Sequence, residues 1–328
     1  MAKETYTEMM NRNFRAAYGD ENVSRNSTCK YFVQATTQLE PKAREEPDMN
    51  GDTMYNHPER DLTEVFETEI MEFDTPWNWI QDRIDNEDFS GLMLGDYIPL
   101  TIDYKDWKAI IIGINTYKGF GTTGKEVSTH IDFWLVSDET NLHVFNNVNN
   151  NNSKDASTPT LWTSEMYAWL NALKIDVVDN TSAPMTLTEA DHTEDGFLLK
   201  LPEALQDLIV TRYGPLSGRY NANSLATADN YGFWDDCGKL WLLTVGEVTG
   251  NMLFSNNTPS RYFLQYPYFA CNSNRVRKNP YWLAFAYTNT TGFVFCEETG
   301  RFYGYTASNT SVSAYPCFRL APTPEETP

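Results

Sequence analysis

Few residues in this 328-residue chain are spaced so that they could do chemistry. His130-x-Asp132 sets an imidazole and a carboxylate two positions apart, on one face of a strand, a spacing found in metal sites. The pair alone falls short of a full ligand set and reads as structural, so no metal is expected. Asp235-Asp236 and Glu297-Glu298 are adjacent carboxylates, which on a strand face opposite ways and cannot serve one bond as acid and base. They read as solvated turns. Cys29, Cys237, Cys271, Cys296 and Cys317 are odd in number and widely spaced, with no Cys-x-x-Cys and no nearby His pair, so they read as reduced packing residues. No Gly-x-Ser-x-Gly, P-loop or His-Glu-x-x-His run is present. The expectation is a protein that is not an enzyme and carries no cofactor.

Binding chemistry is the other possibility. Tyr287, Tyr303 and Tyr305 are interspersed with Asn272, Asn274, Asn289 and Asn309, the mix that adaptable binding surfaces use: Tyr offers contact area at low entropic cost and Asn offers hydrogen bonds. The same residues also suit ordinary turns and strand edges, and both readings stand at this point. Trp282, Phe285, Phe293 and Phe295 alternate within strand-like runs and read as core.

Charge supports the division. Residues 1 to 100 hold 21 acids against 9 bases, whereas 219 to 328 balance at eight of each, within a total of −20. So acidic a chain is a poor partner for nucleic acid or for an anionic membrane, both of which are met by Lys and Arg. The start lacks the apolar stretch of a secretion signal, and the longest aliphatic run, Ala109 to Ile114, is too short to span a bilayer.

The elements that must position these residues follow from local signals. Residues 3 to 18 present an apolar stripe of Met9, Met10, Phe14, Ala17 and Tyr18 ending at Gly19, a short helix. Residues 20 to 58 show no period and read as a wrapping arm. A helix is predicted over 59 to 71, and another from Thr75, a good N-cap before Pro76, with Trp77, Ile80 and Ile84 on one face and a solvated acidic end at 85 to 88. From residue 92 the texture turns to strands: 97–102, 107–114 and 130–136. Residues 146 to 153, almost all Asn, read as an exposed loop. Thr163 or Ser164 caps a helix with Met166, Trp169 and Leu170, and Pro202 opens one that closes at Gly214. Leu240-Trp-Leu-Leu is a buried strand running into Thr244-Val-Gly-Glu247, a capping box. Strands follow over 282–287, 292–296 and 301–305, the last two joined by a turn at Glu298-Thr-Gly300.

Taken in order, Trp162…Met166…Trp169-Leu-Asn, Lys239-Leu-Trp-Leu-Leu-Thr-Val-Gly-Glu-Val, Tyr281-Trp-Leu with Gly292-Phe-Val, and Ser313-Ala-Tyr-Pro-Cys-Phe-Arg-Leu resemble a C-terminal domain of tailed-bacteriophage structural proteins. The runs at Gly95-Asp-Tyr-Ile, Trp107-Lys and Thr129-His-Ile-Asp resemble the opening of that domain. The family usually has Leu-Arg-Ser after its tryptophan, where Trp282 is followed by Leu-Ala-Phe. The resemblance implies an α+β chain whose residues 92–328 form a C-type-lectin-like domain, related in fold to the formylglycine-generating enzyme, of twisted antiparallel strands, two helices and long loops. Residues 1–91 would then be a virion-anchoring region of short helices and extended arm. The enzyme branch of that fold needs a close pair of reactive cysteines; Cys296 and Cys317 are twenty-one apart with no activating neighbour. The glutamate-proline-asparagine loop of calcium-dependent lectins is also absent.

What the resemblance implies for function is a virion protein, on head, collar or tail, that contacts other virion proteins through its N-terminal region, self-associates, and displays a surface for a host glycan or protein. Tyr287, Tyr303, Tyr305 and the Asn set would form that surface, and in some relatives such positions are diversified by retroelements. The rival readings are an architectural decoration or fibre protein that cements subunits with no host ligand, and a glycan hydrolase with two carboxylates across a cleft.

Overall fold

The computed structural model describes residues 59–122, 124–147, 164–179, 186–217, 232–250, 264–286 and 291–323. The expected helix over 3–18, the arm over 20–58 and most of the Asn-rich loop lie outside them. The described fold begins with two single-turn helices where one longer helix was expected. The Asp61 carboxylate accepts from Thr63 N at 2.9 Å and caps α1 (Leu62–Val65), and Phe66, at φ −114° and ψ 28°, separates it from α2 (Glu67–Ile70). Glu64 and Glu67 lie three apart with Glu69 just beyond and no base among them, so a continuous helix would stack like charges. Breaking at Phe66 lets its ring meet Trp79 at 5.1 Å. The next helix, α3 (Pro76–Asp85), starts as predicted: the Thr75 hydroxyl accepts from Asn78 N at 3.1 Å and proline takes the first turn. Its buried face carries Trp77, Trp79, Ile80 and Ile84.

Strands then alternate with short connections. β1 (Tyr97–Ile102) and β2 (Lys105–Ile114) form a hairpin, β3 (Gly121–Thr122) and β4 (Lys125–Glu126) a small one, and β5 (Ile131–Val136) returns beside β2. α4 (Glu165–Asn171) starts on Ser164, whose hydroxyl accepts from Tyr167 N. Two hairpins unforeseen from the sequence follow, β6 (Lys174–Asp179) with β7 (Thr186–Asp191), and β8 (Tyr213–Ser217) with β9 (Gly232–Asp236). Between them α5 (Glu203–Leu208) opens after Pro202 but stops well short of Gly214. Ile209 is extended because Val210 N donates to Arg319 O at 3.1 Å and Arg212 N to Gly238 O at 3.0 Å, bonds that a longer helix would forfeit. β10 (Leu240–Trp241) leads into α6 (Val245–Thr249), with both halves of the capping box formed between Thr244 and Glu247. β11 (Tyr281–Ala286), β12 (Gly292–Cys296) and β13 (Phe302–Thr306) make a meander, and β14 (Cys317–Leu320) closes the fold.

The principal sheet has the order β1-β2-β5-β14-β10, antiparallel throughout, and the meander is a separate three-stranded sheet in the order β11-β12-β13. The class is α+β, mostly antiparallel sheet with few helices, as the sequence indicated. Phe133 and Phe318 face each other across β5 and β14, stacked at 4.9 Å, and Trp77 packs edge-on to both at 6.2 and 5.9 Å. Each such ring contributes on the order of 1.5–3 kcal/mol by burial. Leu62, Trp77, Ile80 and Ile84 share one core with Ile110, Trp134, Trp241 and Phe318, so residues 59–91 and those after 92 are packed as one hydrophobic cluster. No helix of the described residues is long and apolar enough to cross a membrane.

Candidate binding surface and a buried ionic core

The meander positions the predicted tyrosines. β13 is its outer strand, reached by the turn expected at 298–300, where Gly300 adopts φ +78°. Tyr303 and Tyr305 alternate with Gly304 and so fall on one face, and each is 46% exposed. Register pairs Tyr303 with Phe295 and Tyr305 with Phe293. Phe293 is buried and stacked on Phe145, while Phe295 supports both tyrosine rings, at 6.2 and 5.5 Å. Trp282 is fully buried on the same sheet and donates its indole N–H to His143 O at 2.8 Å. The packing roles expected for Trp282, Phe285, Phe293 and Phe295 are met, since all four are buried.

The asparagines behave differently. Asn274 turns its side-chain amide back on the chain, donating to Tyr268 O at 2.7 Å. Asn309 accepts from Ser311 N at 2.7 Å and its own N–H donates to Thr306 O, which makes it a turn residue at the end of β13. Asn272 lies in a 3-10 turn, Asn272–Arg275, ahead of the meander. Tyr287 and Asn289 lie outside the described residues. The structure therefore brings Tyr303 and Tyr305 together as a half-exposed pair on one strand face, with Asn274 and Asn309 committed to internal bonding.

The principal sheet carries a group of ionisable side chains closed to solvent. Arg319 on β14 faces Asp132 on β5 in register and holds its carboxylate with both Nε and Nη2, at 2.7 and 2.8 Å. Tyr266 donates its hydroxyl to Asp132 Oδ2 at 2.9 Å. Burial alone would raise the Asp132 carboxyl, but the Arg319 guanidinium outweighs it and holds the group below the usual carboxylate range. His130 is wholly buried and is pushed down to about 3 by burial, with the Arg319 charge acting in the same direction. Its Nδ1 is 2.7 Å from Ser128 O and its Nε2 accepts from Tyr117 N at 3.4 Å, which fixes the neutral tautomer with the proton on Nδ1. The 3.5 Å approach of Nε2 to Asp132 is thus no ion pair near neutrality. Sequence spacing correctly placed His130 and Asp132 on one side of the chain. The structure gives the carboxylate to Arg319 and Tyr266.

A second buried pair, Arg212 with Glu247, sits alongside. The Arg212 guanidinium lies 4.5 Å above the Trp241 ring, and Glu247 Oε2 accepts from Thr244 N at 2.9 Å. Tyr117 links the two groups: its hydroxyl donates to Leu264 O at 3.1 Å and approaches Glu247 at 3.3 Å, and its ring packs edge-on to Tyr266. Sequence reasoning found Glu247 only as a helix cap, because its partner is thirty-five positions away in a segment read as helix. Asp132 and Glu247 are both fully buried and neutralised, so neither reaches a substrate from this position. Cys237 and Cys317 are buried, with burial pushing the Cys237 thiol up to about 12 and the Cys317 thiol well above its ordinary value, away from reactivity. Asp235 and Asp236 are exposed, and Lys125 bonds Asp236 at 2.8 Å.

Comparison with protein-family models, with curated proteins and with solved structures returns no match to this chain.

Proposed function

We propose that this chain is a bacteriophage virion protein whose described part is a C-type-lectin-like domain presenting Tyr303 and Tyr305 to a host-surface glycan or protein. The reading rests on the ordered motif resemblance and on one observation above the rest: two half-exposed tyrosines on one strand face, each backed by Phe295. Rings held this way bring contact area with little left to order on binding. Residues 1–58 would attach the subunit to neighbouring virion proteins, and repetition of the subunit would add avidity. The protein works by binding, without catalysis, metal or cofactor. It acts on the virion surface.

A second reading, an architectural decoration protein with no host ligand, draws support from Asn274 and Asn309, whose side chains serve internal bonds where a display surface would leave them free. One experiment separates the two. Particles carrying wild-type chain, the Tyr303→Ala/Tyr305→Ala variant, or chain lacking residues 1–58 are tested for incorporation and host-cell adsorption. Host display predicts normal incorporation and at least a tenfold loss of adsorption for the tyrosine variant, and loss of incorporation on truncation. Unchanged adsorption by the tyrosine variant would refute host display and leave the architectural reading. The cut belongs at 58, because one at 91 removes Leu62, Trp77 and Ile80 from the core.

A further inference from the structure

The outer edge of β13 is built to pair with a second copy of itself. Ala307 N donates to Thr291 O and Glu297 N to Arg301 O, each at 2.9 Å, so the odd-numbered residues of this stretch direct their backbone groups inward to β12. By antiparallel alternation, Phe302, Gly304 and Thr306 direct theirs outward. No strand adjoins that side among the described residues. Edges are normally guarded by charge, proline or a bulge. Phe302–Thr306 reads Phe-Tyr-Gly-Tyr-Thr, with none of the three.

We infer that two chains join β13 to β13 about a twofold axis through Gly304, forming a continuous six-stranded antiparallel sheet. This twofold register satisfies the outward groups of all three residues: Gly304 meets its copy, and Phe302 meets Thr306 of the second chain, for about six interchain hydrogen bonds. Thr306 O also accepts from Asn309 N at 3.0 Å and uses its other lone pair in the pairing. Tyr303 then stands opposite Tyr305 of the other copy, so four tyrosines line one face across the axis.

The self-complementary register points to a second copy as the occupant, and the charge of the edge permits it. Chains of net charge −20 repel one another, and approach is least opposed where acid is missing. Residues 299 to 311, which form this edge and its flanks, contain no Asp or Glu. In the twofold register Arg301 meets Ala307 of the other copy, an uncharged position. No like charges are set face to face. The inference goes beyond the display reading and holds whether or not the tyrosines meet a host ligand.

Its test is register-specific cross-linking of the full chain. In a Cys29→Ser/Cys271→Ser background, Tyr303→Cys and Tyr305→Cys are prepared singly and mixed in equal amounts under mild oxidation. The mixture is expected to give several-fold more covalent dimer than either variant alone, because position 303 faces 305 and never itself. Sedimentation of the wild-type chain should show a dimer. Gly304→Lys, which opposes two ammonium groups on the axis without touching the β12–β13 bonds, should weaken it at least tenfold. A monomeric wild-type chain at its highest soluble concentration, single variants that cross-link as well as the mixture, or a dimer indifferent to Gly304→Lys would each overturn the inference. Loss of host adsorption alone would not.

Discussion

Acid should unfold this protein through two histidines before it protonates the buried carboxylate. His130 is held to about 3 and His143 to about 4, in both cases chiefly by burial. His143 stacks on Trp169 at 4.0 Å and its Nδ1 is 2.7 Å from Val144 O, a bond that offsets part of the burial effect without reversing it. In the unfolded chain each takes up a proton near pH 6.5, so the unfolded state binds more protons over the interval between that value and the folded one. The stabilisation is full above about pH 6.5, falls as the pH drops, and is exhausted at about 4 for His143 and about 3 for His130. At pH 5, roughly 1.5 units below the unfolded value, each ring costs about 2 kcal/mol, since one unit is worth about 1.4 kcal/mol. The two together cost about 4 kcal/mol, and with a urea m-value of about 3 kcal/mol per molar the midpoint drops by about 1.3 M between pH 7.5 and pH 5. Urea unfolding followed by tryptophan fluorescence reads this directly. His143→Gln should halve the pH slope attributable to the pair, because one of the two proton uptakes is gone. Carboxylates protonate lower and leave the interval from pH 5 to 6.5 to the imidazoles. A midpoint that stays level from pH 7.5 to 5, or a slope unchanged by His143→Gln, would refute the reasoning.

Two further perturbations probe the interior. Asp132→Asn leaves the Arg319 guanidinium buried without its counter-charge and should lower unfolding free energy by about 3–5 kcal/mol, whereas Asp132→Leu combined with Arg319→Met should recover most of that loss; chemical denaturation of the three proteins checks both. Thr244→Ala removes the hydroxyl that accepts from Glu247 N at 3.2 Å and should cost about 1 kcal/mol as a cap, and more if Glu247 loses its aim at Arg212, which the same denaturation series would show.

How far the sequence disclosed this fold depended on whether the signal was local. Thr75-Pro76, Ser164, Thr244…Glu247 and the glycine turn at 300 were legible because caps and turns are settled within a few residues. The strands at 97–102 and 131–136 were legible from β-branched and aromatic runs. The stretch 209–214 misled, since its helix-compatible composition is overridden by bonds from Val210 and Arg212 to distant backbone. Asn146, read as the start of an exposed loop, is buried and accepts from Glu165 N at 2.9 Å to fix the start of α4. Of the candidate site, Tyr303 and Tyr305 were singled out by residue type, and both are half-exposed. Asn274 and Asn309 were singled out with them, and only their hydrogen bonds show that their side chains serve the scaffold. The pairing of Arg319 with Asp132, one hundred and eighty-seven positions apart, leaves no local trace at all.

That pairing governs when the protein can exist. β14 is the last strand of the principal sheet in the chain yet lies inside it, between β5 and β10. During synthesis, β1, β2 and β5 emerge early, but the β5 edge stays bare and Asp132 stays uncompensated until residue 320 has left the ribosome. At about 5–20 residues per second, the wait from β5 to β14 is on the order of ten seconds or more, a period in which an aromatic edge strand is open to the wrong partner. A chain released before Cys317–Leu320 is made cannot close its sheet, because β14 is the strand that joins β5 to β10.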